Sequence, residues 1–229
     1  ELDSEESESI GEGGGRDSDL DIESDSEEEG EQRRDEDLKD LPMLNEDTLL
    51  QIKNNDPKLT SIYVRNFDHC IDGADAGYYI GQNSQLKRLS VKGEFMGWDE
   101  EFLKTTCLLG RFAKGLTQNR SIEALMLSCC DFSLGSISVT NPKIQKLQKH
   151  TVVRLASFCE KNVKLKSIKI DCCDLGSKTA RVLAMVLGRK VDKSSLQRIN
   201  LTTNEIGDVA AKELIESLKG YDNLVELDL

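Results

Sequence analysis

The stretch Leu196-Gln-Arg-Ile199-Asn-Leu201-Thr-Thr-Asn204-Glu-Ile206 decides the fold of this 229-residue chain. Its apolar residues follow the spacing apolar-x-x-apolar-x-apolar, and residues 199–201 alternate apolar, polar and apolar. Such alternation is typical of a short strand with one face turned inward. Beyond Asp208 the apolar spacing becomes that of a helix with one buried side. The stretch therefore predicts a strand, a turn and a helix in succession.

The same spacing recurs along the chain, and recurrence at a regular interval indicates a repeat protein. The predicted strands lie near 62–64, 89–91, 125–127, 168–170, 199–201 and 227–229. The segments start 27 to 43 residues apart, and helical spacing lies between the later ones. One strand–helix unit cannot cover its own apolar face, so successive units must stack and bury a continuous core. A doubly wound sheet also alternates strands and helices, but it does not require one motif to recur in phase.

The segment 196–218, with Asn204 before Ile206-Gly207-Asp208, resembles a leucine-rich repeat of the ribonuclease-inhibitor-like subclass. The resemblance covers roughly residues 59–229 and is strongest over 165–229. It implies an α/β leucine-rich-repeat solenoid with a curved parallel β-sheet on the concave face and helices on the convex face. A helix near 45–55, with Leu49, Leu50 and Ile52, is expected to begin the stack by covering the first repeat.

The resemblance also assigns a structural role to the ninth position of each repeat. In that family an Asn or Cys at this position points inward and bonds the backbone of the turn. The residues expected in this structural ladder are Cys130, Cys173 and Asn204. Phe67 and Glu94 hold the corresponding positions of the first two repeats, so the turn of the second repeat is expected to be rebuilt by an insertion.

Residues 1–40 differ in composition from the rest of the chain. Residues 1–37 hold 18 acidic residues and 3 Arg, a net charge of −15, whereas the whole chain carries −12. With few apolar side chains and no aromatic one, the segment cannot offset the entropy lost on ordering. We expect an acidic disordered tail over 1–40 and a repeat domain over 41–229 that is truncated at its C-terminus. Ser24 and Ser26 precede carboxylates and are expected to be phosphorylated by an acidophilic kinase.

The residues between the apolar strand positions are expected to face outward on the concave sheet. Those that we expect to bind a partner are Tyr63, Arg65, Arg88, Lys92, Met126, Lys169 and Arg198. Solenoids commonly bind through such extended concave surfaces. The sequence therefore predicts a non-catalytic scaffold that binds another protein, and the cations favour an acidic partner. A further hypothesis is that the acidic tail competes with this partner for the basic stripe.

Two other functions stay open. The resemblance also reaches activators of the Ran GTPase, so a regulator of a small GTPase is one alternative. The second is a thiol, redox or metal module built from the pairs Cys129-Cys130 and Cys172-Cys173, which fall at matching positions of adjacent repeats. Zinc sites favour cysteines separated by at least two residues. We therefore assign no metal ligand, no cofactor and no catalytic residue.

Composition also limits the expected cellular location and the expected classes of partner. The chain has seven Cys without a disulfide framework, which predicts an intracellular location, cytoplasmic or nuclear. The longest apolar runs are a few residues, so we expect no membrane span. Nucleic acid ranks last as a partner, because the basic stripe lacks interleaved aromatic residues and the tail would repel phosphate. The partner's identity and the oligomeric state are left open.

Overall fold

A computed structural model of the chain describes residues 40–65, 73–93, 109–130, 142–190 and 192–229. The described residues belong to one compact unit, Asp40–Leu229. The acidic tail with Ser24 and Ser26 lies outside the described residues, as do Phe67 and Glu94. The expectations for these positions stay predictions.

Strands alternate with helices throughout the described ranges. The strands are β1 (Ser61–Arg65), β2 (Arg88–Lys92), β3 (Ala124–Ser128), β4 (Ser167–Asp171), β5 (Arg198–Asn200) and β6 (Glu226–Asp228). The helices are α1 (Glu46–Lys53), α2 (Gly73–Gln82), α3 (109–116), α4 (Pro142–Lys161), α5 (Ser177–Arg189) and α6 (Asp208–Ser217). None of the helices in these ranges is both long and apolar enough to cross a lipid bilayer.

The strands form one parallel sheet in the order β1-β2-β3-β4-β5-β6. The register places matching motif positions side by side, so that Leu89 pairs with Ile62 on one side and with Leu125 on the other. Strands that follow one another in space as they do in sequence form a solenoid, whereas a doubly wound sheet reverses its order at a switch point. The predicted α/β leucine-rich-repeat solenoid is therefore confirmed, while the ribonuclease-inhibitor-like subclass stays a prediction.

The core lies between the sheet and the helices. The inward side chains of Ile62, Leu89, Leu125, Ile168 and Ile199 are all at most 2% exposed. Burying a side chain of this size stabilises the fold by about 1.5–3 kcal/mol. The stacked repeats thus share one continuous apolar layer.

Helix α1 begins the described part of the solenoid. Asn45 caps it, because the Asn45 Oδ1 accepts from the Thr48 N–H at 2.8 Å and the Thr48 Oγ1 accepts from the Asn45 N–H at 2.8 Å. Thr48 and Ile52 form its buried side. Leu50 is 56% exposed, so the expectation that it covers the first repeat is wrong. The two buried residues are four apart, which places them one turn apart on the same side of the helix.

Three asparagines link neighbouring repeats, and each lies between a helix and the strand that follows it. Asn83, Asn119 and Asn162 each lie three residues before the first apolar residue of a repeat. The Asn119 Nδ2 donates to the Ile80 carbonyl at 2.7 Å, and its Oδ1 accepts from the Ile122 N–H at 2.9 Å. Each amide therefore joins the end of one repeat to the start of the next. These asparagines were not predicted as a ladder, although the spacing Asn-x-x-apolar occurs in the sequence at 83–86, 119–122 and 162–165.

Lys190 and Tyr221 link neighbouring repeats in the later part of the chain. The buried Lys190 Nζ donates to the Asn162 carbonyl at 2.6 Å and to the Cys159 carbonyl at 3.0 Å. The Tyr221 hydroxyl donates to the Leu187 carbonyl at 2.7 Å. Both groups satisfy carbonyls at a helix C-terminus, which otherwise have no partner within the helix.

Helices α2 and α3 have their backbones in direct contact. A Cβ on Gly115 would lie 2.2 Å from the Gly77 carbonyl carbon, and a Cβ on Gly77 would lie 2.4 Å from the Phe112 carbonyl oxygen. Both distances are far below the roughly 3.5–4.0 Å at which carbon atoms attract. Glycine at these positions is therefore a condition for the spacing of the two helices.

We expect Gly115→Ala to lower the free energy of unfolding by about 1–3 kcal/mol, because the added methyl group overpacks the contact. This loss opposes the gain of about 1 kcal/mol that alanine normally brings to a helix. Urea unfolding followed by circular dichroism measures the change. The matched control is Gly188→Ala in α5, where a Cβ would have the Ser217 Cβ at 3.6 Å and ordinary contact. Equal effects of the two substitutions would contradict this account.

Candidate protein-binding surface

The residues predicted to contact a partner lie in three rows across one face of the sheet. The first row is Ser61, Arg88, Ala124, Ser167, Arg198 and Glu226. The second row is Tyr63, Ser90, Met126, Lys169, Asn200 and Asp228. The third row is Arg65, Lys92, Ser128 and Asp171. The register of the strands therefore brings all seven predicted contact residues onto the same face.

This face is not open over its whole area. Tyr63 is 8% exposed, and its neighbour Ser90 in the second row is 5% exposed. Residues 42–44 run beside β1, where the Tyr63 N–H donates to the Pro42 carbonyl at 2.8 Å and the Leu44 N–H donates to the Tyr63 carbonyl at 2.8 Å. This segment occupies the edge of the sheet beside β1. Tyr63 is buried in this structure, and its role as a contact residue stays a prediction.

Lys169 and Arg198 lie beside carboxylates of the same face. The Lys169 Nζ lies 3.5 Å from the Asp171 Oδ2, and the Arg198 Nε lies 3.7 Å from the Glu226 Oε2. Asp171 is 1% exposed although it belongs to the third row. Such pairs contribute only about 0–1 kcal/mol to stability when they are exposed to water. Their effect here is to balance the charge over β4, β5 and β6.

The other three cations lie on β1 and β2. Arg65 and Arg88 are exposed, and Lys92 is half-buried. Arg65 and Lys92 are register partners, so two like charges start from backbone positions about 4.8 Å apart. Like charges placed directly opposite each other on neighbouring strands are unfavourable. Neither β1 nor β2 has an acidic residue at its face positions.

The first three strands also offer apolar contact. Ala124 and Met126 on β3 are half-buried, and Ala124 is the register partner of Arg88. Methionine adapts its shape to irregular partners, which suits a binding surface. The guanidinium of Arg88, a group that binds carboxylates well, thus lies beside the small apolar area formed by Ala124 and Met126.

Beside the face, Glu123 holds two lysines of neighbouring repeats. Its Oε2 accepts from the Lys166 Nζ at 2.7 Å, and its Oε1 lies 3.6 Å from the Lys87 Nζ. The hydrogen bond from Lys166 lowers the pKa of Glu123, so this carboxylate stays charged at neutral pH. These two lysines are therefore less available to a partner than Arg88 is.

The ninth-position residues lie behind the turns, as a chain of contacts from repeat to repeat. The Cys130 N–H donates to the Cys173 Sγ at 3.3 Å, and the Cys173 N–H donates to the Asn204 Oδ1 at 3.1 Å. The Asn204 Nδ2 donates in turn to the carbonyls of Ile170, at 2.7 Å, and Leu201, at 2.8 Å. The three residues predicted for the structural ladder thus bond the backbone of the turns.

Burial lowers the thiolate fraction of three of the described cysteines at neutral pH. Burial raises the pKa of Cys159 to about 12, raises the pKa of Cys173 well above its ordinary value, and also raises the pKa of Cys129. Because their pKa values are raised, these three thiols are mostly protonated at neutral pH. Only the thiolate form acts as a nucleophile or a metal ligand. Within the described ranges, no group of three or more His, Cys, Asp and Glu is placed to hold a metal ion.

Comparisons with known proteins find distant likenesses among solved structures. The sequence matches no family model and no curated protein. The C-terminal domain of a tropomodulin from Caenorhabditis elegans superposes with a TM-score of 0.47 at 11% identity, covering 76% of this chain and 90% of that chain. A structure described as leiomodin-1 actin-binding site 2 superposes with a TM-score of 0.44 at 18% identity, covering 79% of this chain and 75% of that chain. Likenesses this distant carry no conclusion about what this chain binds.

We expect Asn204→Ala to lower the free energy of unfolding by about 1–3 kcal/mol, because it leaves backbone groups of two repeats without partners. Thermal and urea unfolding measure this loss. The matched control is Asn223→Ala, since Asn223 is exposed and its Nδ2 donates to the Ser194 carbonyl at 2.7 Å. If Asn204→Ala is no more destabilising than the control, the ladder does not have the role described.

Proposed function

We propose that this chain is a non-catalytic scaffold that binds an acidic segment of a partner protein on the concave face, over β1, β2 and β3. The observation that carries the proposal is the division of charge along the face. The face positions of β1 to β3 hold the cations Arg65, Arg88 and Lys92 and no anion. Those of β4 to β6 hold Lys169 and Arg198 together with Asp171, Glu226 and Asp228.

Arg88 is the central residue of the proposed contact. It is exposed in the first row and has no carboxylate partner within the described ranges, whereas Arg198 in the same row lies 3.7 Å from Glu226. A guanidinium binds a carboxylate through two parallel hydrogen bonds, which gives direction as well as charge. A partner segment with a carboxylate at Arg88 would place its neighbouring apolar side chain over Ala124 and Met126.

The proposed setting is intracellular, cytoplasmic or nuclear. None of the cysteines of the described ranges forms a disulfide, which supports a reducing environment. No feature of the described residues favours a regulator of a small GTPase over a binding scaffold. Fold alone does not assign a function, so the proposal depends on the charge of this face.

A photo-crosslinking residue, p-benzoylphenylalanine, placed at Met126 tests the surface. Irradiation in extract of the source cells, followed by mass spectrometry, should capture a protein through this position. The same residue placed at Lys212, which is exposed on α6, serves as the control. Capture of the same proteins from both positions would contradict binding on the concave face.

Substitution of the two arginines of the first row tests the partner's charge. We expect Arg88→Ala to weaken binding of the captured protein by about ten- to a hundredfold, since a charged hydrogen bond contributes roughly 1.5–3 kcal/mol. Arg198→Ala is the matched control and should change the affinity by less than about twofold, because its charge is already balanced by Glu226. Isothermal titration at rising NaCl should show falling affinity, as expected for exposed charges. Equal effects of the two substitutions, or an affinity independent of salt, would overturn the acidic character of the partner.

A further inference from the structure

Cys129 and Cys172 occupy equivalent turn positions in neighbouring repeats. They follow Ser128 and Asp171, which are register partners at the ends of β3 and β4. The Cys129 N–H donates to the Asp171 carbonyl at 3.2 Å, so the two turns are bonded backbone to backbone. Equivalent positions of adjacent strands lie about 4.8 Å apart. A disulfide spans Cα atoms about 4.4–6.8 Å apart, so this spacing suits one.

The backbone directs the two side chains alike. Cys129 has φ 52° and Cys172 has φ 50°, both in the left-handed region. Thr203, at the same position of the next repeat, has φ 57°. Residues that share one conformation in a stacked structure extend their side chains in parallel, so the two thiols lie on the same side of the turns. Thr203 ends this row of thiols.

The five described cysteines differ in access to solvent. Cys129 and Cys172 are half-buried, whereas Cys130, Cys159 and Cys173 are buried. Cys130 and Cys173 are held by the ladder, since the Cys130 Sγ donates to the Ser128 carbonyl at 3.4 Å and the Cys173 Sγ donates to the Asp171 carbonyl at 3.0 Å. A small oxidant dissolved in water therefore reaches the outer pair before the inner pair.

We propose that Cys129 and Cys172 are an oxidation site, and that a peroxide joins them in a reversible disulfide between β3 and β4. One thiolate attacks the peroxide, forming an S–O bond while the O–O bond breaks; the hydroxide that leaves takes up the proton that the thiol had lost, giving a sulfenic acid and one water. The second thiol then attacks the sulfenic sulfur, forming the S–S bond while the S–O bond breaks; the hydroxide that leaves takes the proton of the second thiol and becomes a second water. Two thiols lose two electrons in total, and one hydrogen peroxide gains them.

The bridge would be inducible. Burial raises the pKa of Cys129, so its thiolate is scarce at neutral pH and its oxidation speeds up as the pH rises. In a reducing compartment such a bridge forms under oxidant and is lost when thiol reductants return. The two positions lie 43 residues apart in the chain. Joining them restricts the unfolded chain, so the bridged protein should melt at a higher temperature.

The test uses the whole chain, reduced and then treated with hydrogen peroxide at pH 8.5 and at pH 7. Free thiols are blocked with N-ethylmaleimide, and the digest is sequenced by tandem mass spectrometry. We expect a linked peptide pair whose fragments place the bond between Cys129 and Cys172. It should form faster at pH 8.5 and disappear with dithiothreitol. The treated chain should melt several degrees higher than the reduced chain.

Cys129→Ser and Cys172→Ser are the matched variants, since serine is close in size to the half-buried thiol. Each should abolish the link and the rise in melting temperature. Fragmentation of the linked wild-type peptides also identifies which two cysteines the disulfide joins, and this measurement needs no variant. The proposal is overturned by a bond between Cys130 and Cys173, by a bond from Cys129 or Cys172 to any other cysteine, or by a disulfide between two chains. It is also overturned if peroxide leaves both outer thiols free for N-ethylmaleimide.

Discussion

The register between neighbouring strands is the constraint on which the rest of the structure depends. Each strand has three to five residues and cannot cover its own apolar side. Ile62, Leu89 and Leu125 are buried because matching positions lie side by side. A slip of one residue would turn the apolar set of a strand to solvent. The same register gathers the outward residues into rows, so that an uneven distribution of charge in the sequence becomes a charged area of surface.

The parts of the structure that the sequence predicted are those with a local period. The strand around Ile199 follows from spacing within one repeat, and the structure has a strand at Arg198–Asn200. The role of Asn204 was implied by the family resemblance, and in the structure its Nδ2 donates to the Ile170 carbonyl. The pairing of residues 42–44 with β1 and the burial of Tyr63 could not be predicted, because neither follows from the spacing within a repeat. The charge pairs were missed for a related reason, since the Glu226 that balances Arg198 belongs to the next repeat. Spacing identifies which residues face outward, but the neighbouring segments decide which of them are reachable.

The structural roles of two further residues, Asn119 and Gly115, are not evident from the sequence. Asn119 and Gly115 are residue types that usually mark turns. In this fold Asn119 joins two repeats, and Gly115 lets one helix touch the backbone of another. Their roles depend on the partner element, which a single repeat does not contain. The asparagines are nevertheless visible when the repeats are aligned, since each lies three residues before the first apolar residue of a repeat.

The glycine contact between α2 and α3 has a consequence for the shape of the sheet. Strands in a sheet lie about 4.8 Å apart, whereas packed helices lie about 8–10 Å apart, and this mismatch is what bends a strand–helix stack. Gly77, Gly81 and Gly115 draw two helix axes together, because their backbones meet without side chains between them. The wedge between these two repeats is thinner, so the sheet should turn less from β1 to β2 than between repeats with bulkier helix contacts. An extended peptide crossing from Ser61 to Arg88 would therefore lie on a locally straighter stretch of the sheet.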